Sequence, residues 1–174
     1  MQIRASTDND KVFIRQLHQS AFGASEGSTV SQLAIDLLED KTALPILSLV
    51  AEKDNDIVGH VIFSSVTVAG TNVAGAYILA PLAVAVHSQG GGIGTALINQ
   101  GLNILRARDA EFVLVLGDPN YYCRSGFKTG LHLKPPYALQ YPEAWMALEL
   151  TEGALLTITG TVQCAASLSS PELW

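Results

Sequence analysis

The apolar residues Val30, Leu33, Ala34, Leu37 and Leu38 recur at the i, i+3, i+4, i+7 and i+8 spacing of one helix face. A shorter stripe at Phe13, Leu17 and Ala21 predicts an earlier helix. Ser6, Thr7 and Asp8 offer it N-cap oxygens after a short strand at residues 1–5. A Gly- and Ser-bearing break from Gly23 to Ser28 separates the two helices. Pro45 ends helical structure, and residues 46–52 and 57–68 read as two strands turning through Lys53-Asp54-Asn55-Asp56. Residues 73–86 predict a further strand, and residues 92–108 a helix with its apolar stripe at Ile93, Ala96, Leu97, Gly101, Ile104 and Leu105. Phe112 to Leu116 is an unbroken apolar strand, so strand, glycine turn, helix and strand make a βαβ crossover. A Tyr/Gly/Pro-rich stretch at 120–142, a strand at 145–150 and a Thr/Ser/Ala/Gly-rich tail at 155–174 follow. With no repeat, charge block or long linker, residues 1–174 are expected to form one mixed α/β domain.

Composition narrows the function classes. A chain of 174 residues, 48% hydrophobic and only 15% charged, can bury a full core and is not intrinsically disordered. Its net charge of −6 repels phosphate backbones and anionic lipid, so nucleic acid is not an expected partner. Cys123 and Cys164 are too few for a disulfide scaffold or a four-ligand zinc site. His18, His87 and His132 lack metal-ligand spacing, so no metal is expected, and sparse sulfur suits a cytoplasmic setting. Arg4, Asp8, Asp10 and Lys11 interrupt the opening stretch where a signal peptide would be apolar. The longest nearly apolar run, residues 76–86, is far below the roughly 20 residues of a membrane span, so no membrane association is expected. The apolar tail offers a surface for a homodimer.

The richest local signal is the passage from the strand Ala80-Pro81-Leu82-Ala83-Val84 into Gln89-Gly90-Gly91-Gly92-Ile93-Gly94-Thr95. Glycines permit positive φ and close backbone approach, and the helix start leaves unpaired N–H donors with a partial positive charge. Such a junction cradles phosphate. Thr95 stands where a Walker A loop needs Lys, and no third glycine completes a Rossmann fingerprint from Gly90 and Gly92. The geometry therefore suits a pyrophosphate that is held and released unchanged.

Gln89-x-x-Gly92-x-Gly94 after an apolar strand resembles the acetyl-CoA signature of the GCN5-related N-acetyltransferases. Tyr122-Cys123-Arg124-Ser125-Gly126-Phe127, after the next strand, resembles the Y-x-x-x-G-F segment of the same superfamily. Ile57-Val58-Gly59-His60, Leu79-Ala80-Pro81-Leu82-Ala83-Val84 and Leu116-Gly117-Asp118-Pro119 are similar to its YhbS-like branch, and the likeness runs over nearly the whole chain. One departure is the absence of Lys or Arg within the glycine turn. The resemblance implies one domain with a twisted mixed sheet of about six to seven strands flanked by helices, its acetyl-CoA-binding core at about residues 73–127.

It also implies an acetyl-CoA-dependent N-acyltransferase that uses direct attack by an amine in a ternary complex. By that resemblance, the backbone of Leu82, Ala83 and Val84 would line the pantetheine arm. Gln89, Gly90, Gly91, Gly92, Ile93, Gly94 and Thr95 would cradle the pyrophosphate, and Asn120 would lie beside the cofactor. Tyr122 stands at the general-acid position, since a phenol can protonate a departing thiolate, although Tyr121 can anchor the sheet equally well. The Val84 N–H would polarise the carbonyl, and Glu26, in the helix break, is a candidate to receive the amine proton. His60 shares strand parity with Val58, Ile62 and Ser64 and faces either the core or the acceptor cleft, while Asp118 reads as a turn cap. The acceptor pocket is expected from residues 23–28 together with 133–142, including Lys134, Tyr137 and Tyr141. The alternative is a catalytically inactive acyl-CoA-binding sensor or regulatory module.

Overall fold

Both faces of the central sheet are covered, which is why its strands read as unbroken apolar runs. The computed structural model describes residues 1–174. The elements are β1 (Gln2–Ala5), α1 (Lys11–Glu39), β2 (Ile46–Lys53), β3 (Asp56–Val68), β4 (Ala76–Val84), α2 (Ile93–Arg106), β5 (Phe112–Leu116), α3 (Pro119–Tyr122), β6 (Leu133–Lys134), β7 (Trp145–Glu149) and β8 (Gly160–Gln163). The main sheet order is β1-β2-β3-β4-β5-β7, antiparallel except for the β4/β5 pair that α2 connects. β8 pairs with the far end of β3 and with β6, so the sheet has eight strands rather than six or seven. The two extra strands are short and lie in Pro-, Thr- and Gly-bearing sequence whose composition masks them.

Alternation within each strand divides the core in two. Val50, Ile62, Ile78, Phe112 and Leu114 pack on one side with Leu33, Ala34 and Leu37 of α1. Leu49, Val61, Phe63, Tyr77, Val113 and Val115 pack on the other with Leu97, Ile98 and Leu105 of α2. Ile158, Val162, Ala165 and Leu168 from the tail are buried in the first of these cores.

The helix break is narrower than the sequence pattern predicts. Gly23 alone leaves helical geometry, at φ 70° and ψ −165°, and residues 24–28 already belong to the helix beyond that kink. A left-handed φ of this kind favours glycine. The β2–β3 hairpin turns through Asp54 and Asn55 at φ 53° and 69°, the left-handed pair that a two-residue connection demands. Arg4 makes a bidentate pair with Asp10 at 2.8 and 2.9 Å and reaches Glu52 at 2.6 Å, tying β1 to the helix start and to β2. The same Asp10 carboxylate accepts from the Thr7 N–H at 2.7 Å, completing a capping box.

His60 points into the core. His18 Nε2 and His60 Nδ1 are 2.8 Å apart, His60 Nε2 lies 2.9 Å from Ser48 Oγ, and Ser6 Oγ donates to Ser48 Oγ at 2.6 Å. Both imidazoles are fully buried. Burial pushes the pKa of His18 down to about 4, and burial with the charge of His18 pushes that of His60 well below its usual value. The unfolded chain therefore binds protons near pH 6.5 that the folded chain refuses, so stability falls as the pH is lowered from 6.5 to 4. His18 alone should remove on the order of 3 kcal/mol across that window. Arg4 first, then the Thr7 groups, hold Asp10 well below the carboxylate range, so its contribution is lost only at lower pH. Urea unfolding at pH 7, 5.5 and 4 should show this decline, and an unchanged unfolding free energy would contradict the neutral buried pair.

Candidate active site

β4 and β5 are paired from Ala76/Phe112 to Leu79/Val115 and then part. An extra residue in β4 accompanies the separation. Phe63 pairs with Leu79 but Val61 with Leu82, so Ala80 and Pro81 together stand opposite Ile62. A bulge bends its strand, and Pro81 has no N–H to give to a ladder. Beyond the bulge the Ala85 N–H donates to the Val58 carbonyl at 2.9 Å. Alternation along the antiparallel ladder then turns the backbone groups of Ala83 toward β3 and those of Leu82 and Val84 into the gap. The Val84 carbonyl accepts from Gln89 Nε2 at 3.1 Å, which ties the motif glutamine to the strand.

The glycine turn closes one end of this gap. Gly90 and Gly92 have φ of 77° and 79°, and Gly92 is the left-handed N-cap of α2. The first intrahelical bond is from the Ala96 N–H to the Gly92 carbonyl at 2.9 Å, leaving Ile93, Gly94 and Thr95 as N–H donors without a helix partner. These residues, with Leu82, Val84, Ser88, Gln89, Gly90, Gly92, Tyr121, Tyr122 and Arg124, line a cavity of about 460 Å³. It contains no carboxylate, and its one cation is Arg124. The basic group missing from the turn is thus present on the segment after β5. Ala83, Gly91 and Asn120 do not line this cavity; Ala83 is buried opposite His60, and the Asn120 N–H is committed to Asp118 Oδ1 at 2.9 Å.

A second cavity of about 540 Å³ opens on the other side of the gap. Phe22, Glu26 and Leu33 of α1, Pro81 and Leu82 of β4, Leu116 and Asp118 after β5, and Glu172 and Leu173 of the tail contribute to it. Glu26 lies three residues beyond the kink on the second half of α1 rather than in a loop. Lys134, Tyr137 and Tyr141 are absent from this lining, and Tyr137 and Lys134 face other hollows. The tail takes the place expected of residues 133–142. No local pattern in the sequence advertises Glu172 or Leu173, whereas Arg124, which the sequence reading passed over, stands one helical turn after Asn120, where its charge beside the cofactor motif was the signal to find it.

Leu82 and Tyr122 line both cavities. Asp118 caps α3 through the Asn120 N–H, and Gly117 makes room for the Tyr122 ring; a Cβ there would stand 2.4 Å from it. Phe127 and Tyr121 hold the ring edge to face at centroid distances of 5.8 and 5.1 Å. The buried side-chain atoms without a partner are His18 Nδ1 and Ser64 Oγ, so the Tyr122 hydroxyl, which bonds to no protein group, is open to the cavities. Burial, with the neighbouring Tyr121, raises its pKa above the usual phenol value. The Tyr121 hydroxyl sits instead over the first turn of α2, where a Cβ at Gly94 would be 2.1 Å from it. The two tyrosines therefore have different stations, and only Tyr122 touches the second cavity.

Residues 12–127 match the Acetyltransferase (GNAT) family. The chain belongs to the GNAT acetyltransferase family. It is 37% identical to YjhQ of Escherichia coli K12, an uncharacterized N-acetyltransferase, over 90% of this chain and 88% of that one. The crystal structure of the GNAT N-acetyltransferase YhbS from Escherichia coli in complex with CoA matches the fold with a TM-score of 0.88 at 30% identity, covering 98% and 92% of the two chains. A GNAT acetyltransferase from Brucella melitensis in complex with acetyl-CoA matches with a TM-score of 0.78 at 32% identity, covering 96% and 97%. Membership of the family makes the chain an acyltransferase of EC class 2.3.1 with the mixed α/β fold described above. No helix is long and apolar enough to cross a membrane.

The environment of Tyr122 yields a direct test. Spectrophotometric titration of the GNAT chain, minus the same curve for Tyr122→Phe, should show no phenolate from Tyr122 until the protein unfolds, because burial disfavours the charged form. A difference signal centred near pH 10 in the folded state would mean that the phenol is freely solvated.

Proposed function

We propose that the chain transfers an acetyl group from acetyl-CoA to an amine by direct attack, with both substrates bound at once. The observation that carries this reading is the meeting of a cavity whose charge is Arg124 with a cavity whose charges are carboxylates, at Leu82 and Tyr122. The first suits a diphosphate and the second an amine. The N–H groups of Ile93, Gly94 and Thr95, with Arg124, hold the pyrophosphate through charge-assisted bonds at a helix start. The pantetheine amides pair with the Leu82 backbone and with the Val84 carbonyl, which Gln89 also holds, as an added strand does, and the Val84 N–H is left for the thioester.

That arrangement sets the thioester at the junction of the cavities. The amine nitrogen attacks the carbonyl carbon, and the Val84 N–H accommodates the charge that develops on oxygen. As the C–S bond breaks, Tyr122 gives its phenolic proton to the leaving thiolate. A phenol held above its usual pKa stays protonated until that moment. Glu26 receives the proton shed by the amine, and solvent restores both groups. Free thiols at Cys123 and Cys164 accord with a cytoplasmic setting.

Two substitutions test the parts separately. Tyr122→Phe should lower kcat by roughly 10²–10⁴-fold in a thiol-release assay while acetyl-CoA affinity by calorimetry is retained. Full turnover in that variant would remove the acid from Tyr122. Gly92→Glu replaces a left-handed N-cap with a side-chain anion beside the proposed diphosphate, so acetyl-CoA affinity should drop steeply. Wild-type affinity would remove the cradle.

A further inference from the structure

We propose that the acceptor is a small amphipathic diamine, in which an apolar body joins the reacting amine to a second, positively charged nitrogen. This rests on the acyl-transfer reading and names its substrate class. The acceptor cavity, at about 540 Å³, is of small-molecule size. Just over half of its lining residues are apolar, among them Phe22, Val30, Leu33, Leu116 and Leu173. Every charged group on it is a carboxylate: Glu26, Asp118 and Glu172, with no Lys, Arg or His among the lining residues.

None of these carboxylates is neutralised within the protein. The salt bridges all run from Arg4 or Lys11, to Asp8, Asp10, Glu39 or Glu52. Asp118 spends Oδ1 on the Asn120 N–H, and neither Glu26 nor Glu172 has a hydrogen-bond partner in the chain. Glu172 is not on a loose end. Trp174, two residues on, donates Nε1–H to the Leu168 carbonyl at 2.8 Å and lies edge to face with Trp145 at 5.8 Å. The carboxylate therefore stands on an anchored segment beside the cavity.

An amine must be neutral to attack, and once Glu26 serves the proton of the reacting nitrogen, Asp118 and Glu172 are left without a positive partner. A second ammonium satisfies them, while the apolar walls fit the carbons between. An acceptor bearing a carboxylate would meet only like charge among the charged lining residues and be disfavoured.

The test is CoA release from acetyl-CoA by the full chain with three five-carbon probes: pentane-1,5-diamine, pentylamine and 5-aminopentanoate. The diamine should exceed pentylamine by about tenfold in kcat/KM, mostly through KM, and 5-aminopentanoate should be the poorest. The advantage of the diamine should shrink as salt is raised. In Glu172→Lys, at an exposed position, acetyl-CoA affinity should be unchanged while the diamine loses its advantage and 5-aminopentanoate gains. Equal kcat/KM for the three probes, or a preference for 5-aminopentanoate in the unmodified chain, overturns the diamine and leaves acyl transfer standing. The same holds if Glu172→Lys keeps the original ranking. Acetyl-CoA binding without CoA release from any probe also overturns the diamine, and loss of acetyl-CoA binding itself overturns the proposed function beneath it.

Discussion

Backbone hydrogen bonds that the sheet declines to make are the constraint on which this molecule turns. β4 carries one residue more than β3 at Ala80–Pro81, and the pairing with β5 stops at Leu79. Two consequences follow from that single irregularity. The strand bends away and opens a gap, and the ladder alternation beyond it leaves Leu82 and Val84 facing that gap with main-chain donors and acceptors. Buried backbone groups must find partners, so a gap lined with them selects a ligand that can behave like a strand.

Around this gap the chain separates charge by sign. Arg124 and the first amides of α2 gather on one side, while Glu26, Asp118 and Glu172 gather on the other, in a molecule whose net charge is −6. The overall charge is therefore a poor guide to the site. What matters is that the two fields adjoin where Tyr122 is fixed by Gly117 and Phe127, so that a neutral phenol stands between a region suited to anions and one suited to cations. GNAT membership supplies the acyl transfer, and the local fields give the two halves of the site their preferences.

The legible parts of the sequence were those whose chemistry is local. The α2 stripe, the β5 run and the glycine junction each follow from a few adjacent residues, and their bounds lie within two or three residues of the structure. Tyr122 stood out only through its spacing to Gly126 and Phe127; its separation from Tyr121 needed the packing of Gly94 and Gly117 to become visible. Three features were hidden for physical reasons. A helix can kink at one glycine, so the composition of residues 23–28 overstated the break. A bulge changes pairing without changing hydrophobicity, although a proline inside strand sequence was its trace. The wall that Glu172 and Leu173 give the second cavity depends on the tail crossing back to α1 and the end of β5, a contact across most of the chain that no window along the sequence contains.

Residue-resolved amide exchange, compared with and without acetyl-CoA, addresses the strand-like gap directly. The Leu82 and Val84 amides should exchange readily in the free chain and slow markedly on saturation, while Ala83, already turned toward β3, stays protected in both. Unaltered exchange at Leu82 and Val84 in the saturated protein, with protection arising elsewhere, would show that the cofactor does not complete the sheet at this place.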